Sequence, residues 1–466
     1  MKKEELVADL VTEFKSNGRI VIVGASLAGL RAAETLRDEG FNGTLTIIGD
    51  EEQEPYDRPP LFKQVLKGWV PADHTLLPRL RKVDADWRLG VAATGLDRVT
   101  KTVHLADGDE VPYDRMLIAT GTRAMPWFNP EEAALEGVFT LRTADDAGAL
   151  QAALAAKPGR VLIIGAGFIG SEMASVCRQL GLEVTVAERA DAPLVGALGG
   201  VIGDIAAEMQ RDAGVDLRTG VSVEALEGDA GHVRRARLSD GTTLEVDVVV
   251  ASLGSIRNTE WLEGAGLAAG RWGVGCDAGC RAFDVNGVVT DTIFVAGDIA
   301  RAPHPLYGYQ FMVQEHWDNA VFGGQVAAHN MVSLEPDRRP HLPLPAFWSG
   351  QFGVNIKGVG VGPFADEIVF TQGSVKERRF AAAYGHKGRI VAAVTFNHGK
   401  WLEYYGALIE RSAPFPPPPP GYDRPGDMQP IPARFPDPRV PTGQPDVVLT
   451  GHDPTDRAAV YRPKKR

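Results

Sequence analysis

Two glycine-rich turns, each between a buried strand and a helix, constrain the fold of this chain more than any other feature. The first reads "GASLAG" at 24–29 behind "IVIV", and the second reads "GAGFIGSE" at 165–172 behind "VLII". Each stretch follows the order strand, turn, helix, strand of a βαβ unit. Because the unit occurs twice, the chain is predicted to be an α/β protein with two Rossmann-like dinucleotide-binding domains.

A glycine turn that opens a helix can hold a pyrophosphate, because backbone N–H groups and the positive end of the helix dipole face the anion. An acid after the second strand then accepts from the ribose hydroxyls. Asp50 occupies that place in the first copy and Glu188 in the second. One turn alone could be a plain strand–helix connection, but two copies with their acids favour two bound dinucleotides. Ser26 replaces the middle glycine of the first copy, a small residue that we interpret as tolerated.

The composition excludes several classes of function. The 466 residues include 44% hydrophobic and 23% charged residues, which is typical of a globular protein of two to four domains. A net charge of −11 argues against a nucleic-acid footprint and against a polybasic membrane anchor. The sequence also lacks an apolar run long enough to span a membrane, and its acidic N-terminus does not resemble a signal peptide. A cytoplasmic location is therefore expected.

The remaining segments predict further elements. Leu6, Leu10 and Phe14 recur at helical spacing, which predicts an amphipathic helix docked on the body of the protein. We also predict strands within 110–123, 214–226, 242–254 and 288–300, a helix that begins near Gln314, and a β-rich domain from about 342. Residues 413–447 contain thirteen prolines and are predicted to be extended, as a strap on the protein surface or as a flexible tail. The stretch "DVVLTG" at 446–451 could dock.

Five motifs in order along the chain carry a resemblance to a known family. They are "GDEEQEPYDRPPLFK" (49–63), "ATGTR" (119–123), "GAGFIGSE" (165–172), "TDTIFVAGDIA" (290–300) and "EHWDNAVFGG" (315–324). The chain resembles the FAD-dependent NADH:ferredoxin reductases of bacterial oxygenase systems, within the pyridine nucleotide-disulfide oxidoreductase superfamily. The resemblance covers roughly 18–412 and leaves out the proline-rich tail.

The resemblance implies a domain organisation in which an NAD domain is inserted into an FAD domain. The implied units are an N-terminal helix (1–17), an FAD-binding domain (18–140 and 255–330), an NAD-binding domain (141–254), a C-terminal α/β domain (331–412) and a proline-rich extension (413–466). The implied cofactors are FAD and NADH. The carboxylate of Glu188 favours NADH, because it repels a 2′-phosphate and accepts from a 2′-hydroxyl.

Lys63, Glu172 and Trp317 are the candidate catalytic residues. The resemblance implies that Lys63 lies near the reactive nitrogen of the flavin, where a cation stabilises negative charge. It implies that Glu172 orients Lys63 and the nicotinamide, and that Trp317 flanks the flavin or the nicotinamide. Plainer readings remain open: Glu172 as an acid in the first turn of a helix and Trp317 as a core residue.

The other candidate residues bind cofactor. Asp298 of the "GD" pair is implied to bind the ribityl chain, with a helix-capping role as the alternative. Arg58 and Arg142 are implied to lie along FAD, with a solvated surface role as the alternative. The full set of cofactor-binding candidates is Gly24, Ser26, Leu27, Ala28, Gly29, Asp50, Arg58, Lys63, Ala119, Thr120, Gly121, Arg142, Gly165, Gly167, Phe168, Ile169, Gly170, Glu172, Glu188, Gly254, Gly297, Asp298, Glu315, His316 and Trp317.

The cysteines argue against thiol chemistry and against a metal site. A disulfide reductase of this superfamily carries a cysteine pair near the stretch that here reads "PPLFKQVLKG", whereas the first cysteine of this chain is Cys177. Cys276 and Cys280 form a CxxxC pair with no third cysteine and no nearby histidine in the sequence. Two unlinked thiols are the expected reading.

The function implied is hydride transfer from NADH to FAD, followed by single-electron transfer to an iron–sulfur ferredoxin, of the [2Fe-2S] type or similar, that serves an oxygenase. A basic docking patch for an acidic ferredoxin is expected, and "VKERRF" and the terminal "RPKKR" supply positive charge. Two alternatives stay open: an NADH oxidase or diaphorase that uses oxygen or quinones, and a redox-sensing interaction protein similar to apoptosis-inducing factor. The protein is expected to be a monomer or a homodimer.

Overall fold

The computed structural model describes residues 3–418, 423, 425, 428–436, 446–450 and 458–462. Within this part of the chain lie eight α-helices. They are α1 (Lys3–Asn17), α2 (Leu27–Asp38), α3 (Pro130–Ala133), α4 (Ala144–Ala155), α5 (Phe168–Gln179), α6 (Val195–Asp212), α7 (Trp317–Val332) and α8 (Leu402–Glu410).

The first glycine turn belongs to a six-stranded sheet, here called the first sheet. Its strands, in spatial order, are Arg281–Phe283, Val289–Val295, Arg115–Ile118, Arg19–Val23, Thr44–Gly49 and Asp86–Leu89. All neighbours are parallel except the first pair. The strand Arg19–Val23 is apolar along its buried length because helices cover the sheet, and α2 and α7 pack against each other on one face.

The second glycine turn belongs to a separate parallel sheet of five strands, the second sheet. In spatial order these are Asp216–Thr219, Val184–Glu188, Val161–Ile164, Val248–Ala251 and Val138–Phe139. The strand Val161–Ile164 is fully buried, and α5 begins directly after its turn. Each glycine turn therefore lies at the carboxyl end of a central parallel strand, the position at which open α/β sheets bind ligands.

Four small sheets extend these two. They contain the strands Ala93–Asp97, Thr102–Leu105 and Glu110–Pro112; Val223–Asp229, His232–Leu238 and Thr243–Glu245; Thr122–Ala124 and Ser255–Arg257; and Ala269–Gly270, Gly273–Gly275, Ala300–His304 and Gln310–Val313. The antiparallel pair of Thr122–Ala124 with Ser255–Arg257 joins two segments that flank the second sheet in sequence.

A third large sheet is antiparallel and is here called the C-terminal sheet. Its strands, in spatial order, are Ala346–Gln351, Val354–Gly360, Arg389–Phe396, Arg379–His386, Glu367–Ser374 and Ile431–Pro432. Helix α8 packs against it. The first and second sheets with their helices confirm the two predicted Rossmann-like units, and the C-terminal sheet with α8 confirms the predicted further α/β unit. Two strands near the C-terminus, Asp446–Thr450 and Ala458–Arg462, form an antiparallel hairpin.

The predicted secondary elements are present, with differences at their ends. Helix α7 begins at Trp317 rather than near Gln314, because the backbone of His316 is extended and its ring caps the helix. In α1, Phe14 packs on Phe41, and the guanidinium of Arg115 lies 4.3 Å from the ring centroid of Phe14. Leu10, however, is exposed, so the prediction that it lies on the docked face is wrong. The side chain of Leu6 lies outside the described residues.

The described part of the proline-rich segment lies against the rest of the protein. Residues 431–432 add an edge strand to the C-terminal sheet, and Ala433 is buried. The Arg434 carbonyl accepts from the N–H of Gly200 in α6, and its guanidinium pairs with Asp204. This favours the strap over the flexible tail for residues 428–436. The last two residues of "PFPPPPP", the last residue of "DVVLTG" and the last four of "RPKKR" lie outside the described residues.

Gly199 has a left-handed backbone conformation where residues 428–436 cross α6. It has φ +75° inside α6, and a Cβ there would overlap the carbonyl oxygen of Ala433. We expect Gly199→Ala to lower the free energy of unfolding by about 1–3 kcal/mol, measured by chemical denaturation of the full chain. Gly181→Ala is the matched control, because Gly181 has φ +77° but nothing within 4 Å of an added Cβ. Equal losses in the two variants would contradict a strap that bears on α6.

Candidate nucleotide and electron-transfer site

The first glycine turn brings three backbone segments into close approach. Gly24 has φ +124°, and a Cβ on it would overlap the carbonyl of Ala119, so the turn needs glycine there. A Cβ on Gly29 would overlap the carbonyl of Gly24, so α2 also starts unusually close to the strand. Ser26 has extended backbone and makes no capping hydrogen bond with its side chain. Leu27 and Ala28 form the first turn of α2 and face its core.

The "ATGTR" segment crosses beside this turn. Thr120 exchanges two hydrogen bonds with Asn258, from Thr120 Oγ1 to the carbonyl of Asn258 at 2.9 Å and from Asn258 Nδ2 to the carbonyl of Thr120 at 2.8 Å. Gly121 and Gly254 both have positive φ, at +60° and +100°. Asp50 stands exposed at the end of the strand Thr44–Gly49, where a ribose could reach it.

Two partly buried arginines line the same region through ion pairs. Arg58 lies 2.6 Å from Glu51 Oε1 and donates to Tyr56 Oη at 2.9 Å. Arg142 donates from Nη2 to Asp298 Oδ2 at 2.8 Å. Their ion pairs and partial burial argue against the solvated surface role for either arginine.

Gly297 places Asp298 beside the first turn. It has φ +77°, and a Cβ on it would lie 3.2 Å from Cβ of Ala28. Asp298 belongs to a short 3₁₀ turn after the strand Val289–Val295, and its carboxylate pairs with Arg142. The ion pair with Arg142 therefore argues against helix capping as the only role of Asp298.

The second glycine turn repeats the geometry of the first. Gly165 has φ +99°, and a Cβ added to it would overlap the carbonyl of Ser252. A Cβ added to Gly170 would overlap the carbonyl of Gly165. Gly167 differs, because its φ is −69° and an added Cβ would meet nothing within 4 Å. The space in front of Gly167 is therefore open to a ligand. Beyond the turn, the ring of Phe168 lies 4.8 Å from that of Phe347, and Ile169 packs on the core of the second sheet.

Glu188 closes over this turn from the end of its strand. Its Oε2 accepts from the N–H of Ala166 at 2.7 Å, and its Oε1 accepts from the N–H of Ala190 at 2.7 Å. The carboxylate thus lies against the same backbone that would face a pyrophosphate and ribose. Arg189 is exposed.

Lys63 and Glu172 form an ion pair between the segment that follows the first glycine turn and the helix that the second turn opens. Lys63 follows the 3₁₀ turn Pro59–Phe62, whose Leu61 and Phe62 pack in the core of the second sheet, and Glu172 lies in the second turn of α5. Lys63 Nζ is 3.0 Å from Glu172 Oε1, and the Glu172 side chain is 9% exposed. Because only a small part of the Glu172 side chain reaches solvent, this ion pair is partly buried and differs from an exposed surface pair.

Aromatic residues from two further segments, the start of α7 and the first strand of the C-terminal sheet, make directed contacts. Trp317 donates from Nε1 to Asp57 Oδ1 at 2.9 Å, and burial of Asp57 raises the pKa of its carboxyl group, an effect that the tryptophan hydrogen bond opposes. The ring of His316 meets that of Trp348 edge-on at 4.5 Å. Burial lowers the pKa of His316, although Asp318 and Asp298 oppose this, and its Nε2 is buried without a partner among the described residues. Trp317 therefore makes a directed polar contact beyond core packing.

Glu315 completes this edge of the site through a pair with Arg257, and it also accepts from Ser255 Oγ at 3.0 Å. Four of these partners were not predicted from the sequence: Glu51, Asp57, Arg257 and Trp348. Glu51 lies only seven residues before Arg58, but the contacts of the other three join segments far apart in the chain, for which a single sequence carries no spacing signal.

The residues present fit two dinucleotides. Each turn offers a positive-φ glycine, a helix N-terminus and a nearby carboxylate, and the space before Gly167 is open. His316 has a buried nitrogen without a partner among the described residues, and the Trp348 ring that it contacts is 41% exposed. These features suit an aromatic ring system held between the two turns.

The cysteines stay apart from this chemistry. All three are free and buried. Burial raises the pKa of Cys177 and of Cys276 to about 12, and that of Cys280 well above its usual value. Such thiols carry little thiolate near neutral pH. In the described part of the chain, no α-helix has the length and apolar character needed to cross a bilayer.

Comparison with known proteins gives two family matches. A family described as pyridine nucleotide-disulphide oxidoreductase matches residues 18–324, and one described as reductase C-terminal matches residues 346–419. Neither covers the last part of the proline-rich segment.

Individual relatives agree with these matches. The chain is 33% identical to the anthranilate 1,2-dioxygenase system ferredoxin–NAD(+) reductase component of Burkholderia cepacia, over 84% of this chain and 94% of the relative. It is 34% identical to the corresponding biphenyl dioxygenase component of Paraburkholderia xenovorans, over 75% of this chain and 83% of the relative. Among solved structures, the covalent putidaredoxin reductase–putidaredoxin complex matches with a TM-score of 0.78 and 29% identity, over 86% of this chain and 94% of that chain.

Proposed function

The chain belongs to the pyridine nucleotide-disulphide oxidoreductase family, and from this premise we propose that it is an FAD-dependent NADH:ferredoxin reductase of an oxygenase system. The observation that carries the proposal is the Lys63–Glu172 ion pair. It joins the segment that follows the first glycine turn to the helix that the second turn opens, so it stands where two bound dinucleotides would meet.

The chain's own residues bind and orient the two nucleotides. When bound, FAD supplies the ability to accept two electrons as hydride and to release them one at a time. The backbone at 24–29 and 165–170 faces the two pyrophosphates, while Asp50 and Glu188 accept from ribose hydroxyls. Arg142 and Asp298 would hold the polar chain of FAD, and their ion pair with each other supports this role. Lys63 holds a positive charge at the junction, and Glu172 fixes the position of that charge.

The partner is a ferredoxin, and relatives named as ferredoxin reductases of dioxygenase systems support this choice. We propose a [2Fe-2S] cluster or a similar one, a cytoplasmic location, and a monomer or homodimer. Within "VKERRF", which was expected to supply positive charge for docking, Arg378 pairs with Asp212 and Arg379 lies 3.5 Å from Asp423. Both arginines of that segment are therefore engaged within the chain.

The apoptosis-inducing factor reading has weaker support. The chain is 28% identical to human apoptosis-inducing factor 3 and covers 62% of it. It covers 94% of the Burkholderia reductase component at a higher identity. The reductase reading is therefore favoured.

The cofactor part of the proposal is tested without any partner protein. The purified holoprotein should carry one FAD per chain, and anaerobic NADH should bleach its absorbance near 450 nm within a second at saturation. Tightly bound flavin that NADH does not bleach would contradict the proposal, and so would a folded protein that binds no FAD.

Glu188 should set the choice between NADH and NADPH. We expect Glu188→Ala to reduce the ratio of kcat/KM for NADH over NADPH by at least about tenfold, because the carboxylate no longer repels a 2′-phosphate. Steady-state dye reduction with each nucleotide measures this ratio. Glu183→Ala is the control, since Glu183 lies just before the same strand and its carboxylate is 3.5 Å from Arg160 rather than on the turn. An unchanged ratio in Glu188→Ala would contradict the assignment.

A further inference from the structure

One oxygen of Glu172 accepts two hydrogen bonds and takes part in the ion pair with Lys63. Lys63 Nζ lies 3.0 Å from Glu172 Oε1, Ser349 Oγ donates to it at 2.6 Å, and the N–H of Gly350 donates to it at 3.1 Å. Ser349 and Gly350 belong to the first strand of the C-terminal sheet. The C-terminal unit therefore contacts the ion pair through directed hydrogen bonds as well as through packing.

The hydroxyl of Ser349 is committed to this contact. Ser349 is fully buried, and its oxygen accepts from Nε2 of Gln351 at 2.9 Å. Since the Gln351 N–H can only donate and the Glu172 carboxylate can only accept, the Ser349 proton points to Glu172. The result is a chain of hydrogen bonds directed from Gln351 through Ser349 to the carboxylate. Hydrogen bonds to charged groups are stronger than those between neutral groups.

These three contacts leave the second carboxylate oxygen available. Among the described residues, no hydrogen bond reaches Glu172 Oε2, whereas Oε1 takes both hydrogen bonds and the ion pair. A carboxylate held by one oxygen in this way keeps a fixed rotamer, and its other oxygen then has a defined direction.

We propose that Ser349 is a positioning residue for the nucleotide reaction. It fixes the carboxylate of Glu172, and through it the ammonium of Lys63, so that the C-terminal unit takes part in aligning the nicotinamide with FAD. This inference rests on the proposed function, since it assumes that NADH and FAD meet at the Lys63–Glu172 pair.

A variant of the nearby Ser175 can distinguish a positioning role of Ser349 from a role in holding α5 and the C-terminal sheet together. Ser175, one turn after Glu172 on α5, accepts from the N–H of Phe352 at 2.7 Å. It is buried, lies at the same contact between α5 and the C-terminal sheet, and does not touch Glu172. Ser175→Ala is therefore a matched control that loses an interface hydrogen bond without disturbing the carboxylate.

The test compares Ser349→Ala, Ser175→Ala, Glu172→Ala and the double variant Ser349→Ala/Glu172→Ala as holoproteins. The readouts are the rate of flavin bleaching at saturating NADH and the dissociation constant of NAD⁺ from equilibrium titration. We expect Ser349→Ala to slow bleaching about tenfold and to weaken NAD⁺ binding, as loss of a hydrogen bond to a charged group predicts. Ser175→Ala should stay within about twofold of wild type. In the Glu172→Ala background, Ser349→Ala should change neither quantity further.

Effects that add in the double variant would overturn the proposal, and so would equal effects of Ser349→Ala and Ser175→Ala. If Ser349→Ala melts well below Ser175→Ala, Ser349→Cys provides the same comparison with nearly unchanged volume and a weak S–H donor. It should then fall between wild type and Ser349→Ala. Failure of the proposed function would look different, because wild type itself would then not be bleached by NADH.

Discussion

Lys63→Ala should slow the bleaching of the bound flavin by saturating NADH by about a hundredfold, while FAD remains bound. In the proposed function the lysine ammonium is the positive charge where the two nucleotides meet, and it pairs with Glu172 at 3.0 Å. Removing one preorganised group aimed at developing charge typically costs 10²–10³ in rate. Stopped-flow absorbance under anaerobic conditions measures the effect directly.

Lys67→Ala is the matched control for this variant. Lys67 lies one helical turn later in the same segment, and its ammonium sits 4.4 Å from the ring centroid of Trp69 rather than on Glu172. Its loss should leave the bleaching rate within about twofold of wild type. If Lys63→Ala reacts as fast as Lys67→Ala, the ion pair holds the domains together but has no part in the reaction.

Gly167→Val should abolish the use of NADH without harming the fold or the binding of FAD. The glycine has an ordinary backbone conformation, and an added Cβ meets no protein atom within 4 Å, so the protein itself tolerates a side chain there. A bound pyrophosphate would pass through that space. We expect kcat/KM for NADH to fall by about a hundredfold or more, equivalent to about 2.7 kcal/mol, with an unchanged melting temperature.

Two further variants make this experiment specific. Gly270→Val places the same side chain at an exposed glycine of a small sheet, also with open space around it, and should leave kcat/KM unchanged. Ser26→Gly changes the equivalent position of the first turn and should leave FAD bound, since Ser26 makes no capping bond. Normal use of NADH by Gly167→Val would remove the second turn from the nucleotide site.

The glycine turns were predictable from sequence because their signals are local. A buried strand, positive-φ glycines at 24 and 165, and an acid after the next strand all lie within one βαβ unit. Local signals were less reliable at element ends. The start of α7 was misplaced by three residues because His316, a residue without a strong capping preference, caps the helix.

The contacts that complete the site could not be predicted in this way. The bond of Ser349 to Glu172 joins residues 177 positions apart, and that of Trp317 to Asp57 joins residues 260 positions apart. Such contacts depend on how three sheets pack together, which a periodic pattern does not encode. The exposed Leu10 shows the same limit, since helical spacing identifies a face but not the partner that covers it.

The most direct test of the whole account is ferredoxin-dependent reduction of cytochrome c by NADH at low salt, using iron–sulfur ferredoxins encoded by the same organism. The account predicts a large stimulation by one such ferredoxin, which declines as salt screens the docking charges. A rate that no ferredoxin stimulates, with oxygen consumed at the expense of NADH, would contradict it and identify the protein as an oxidase.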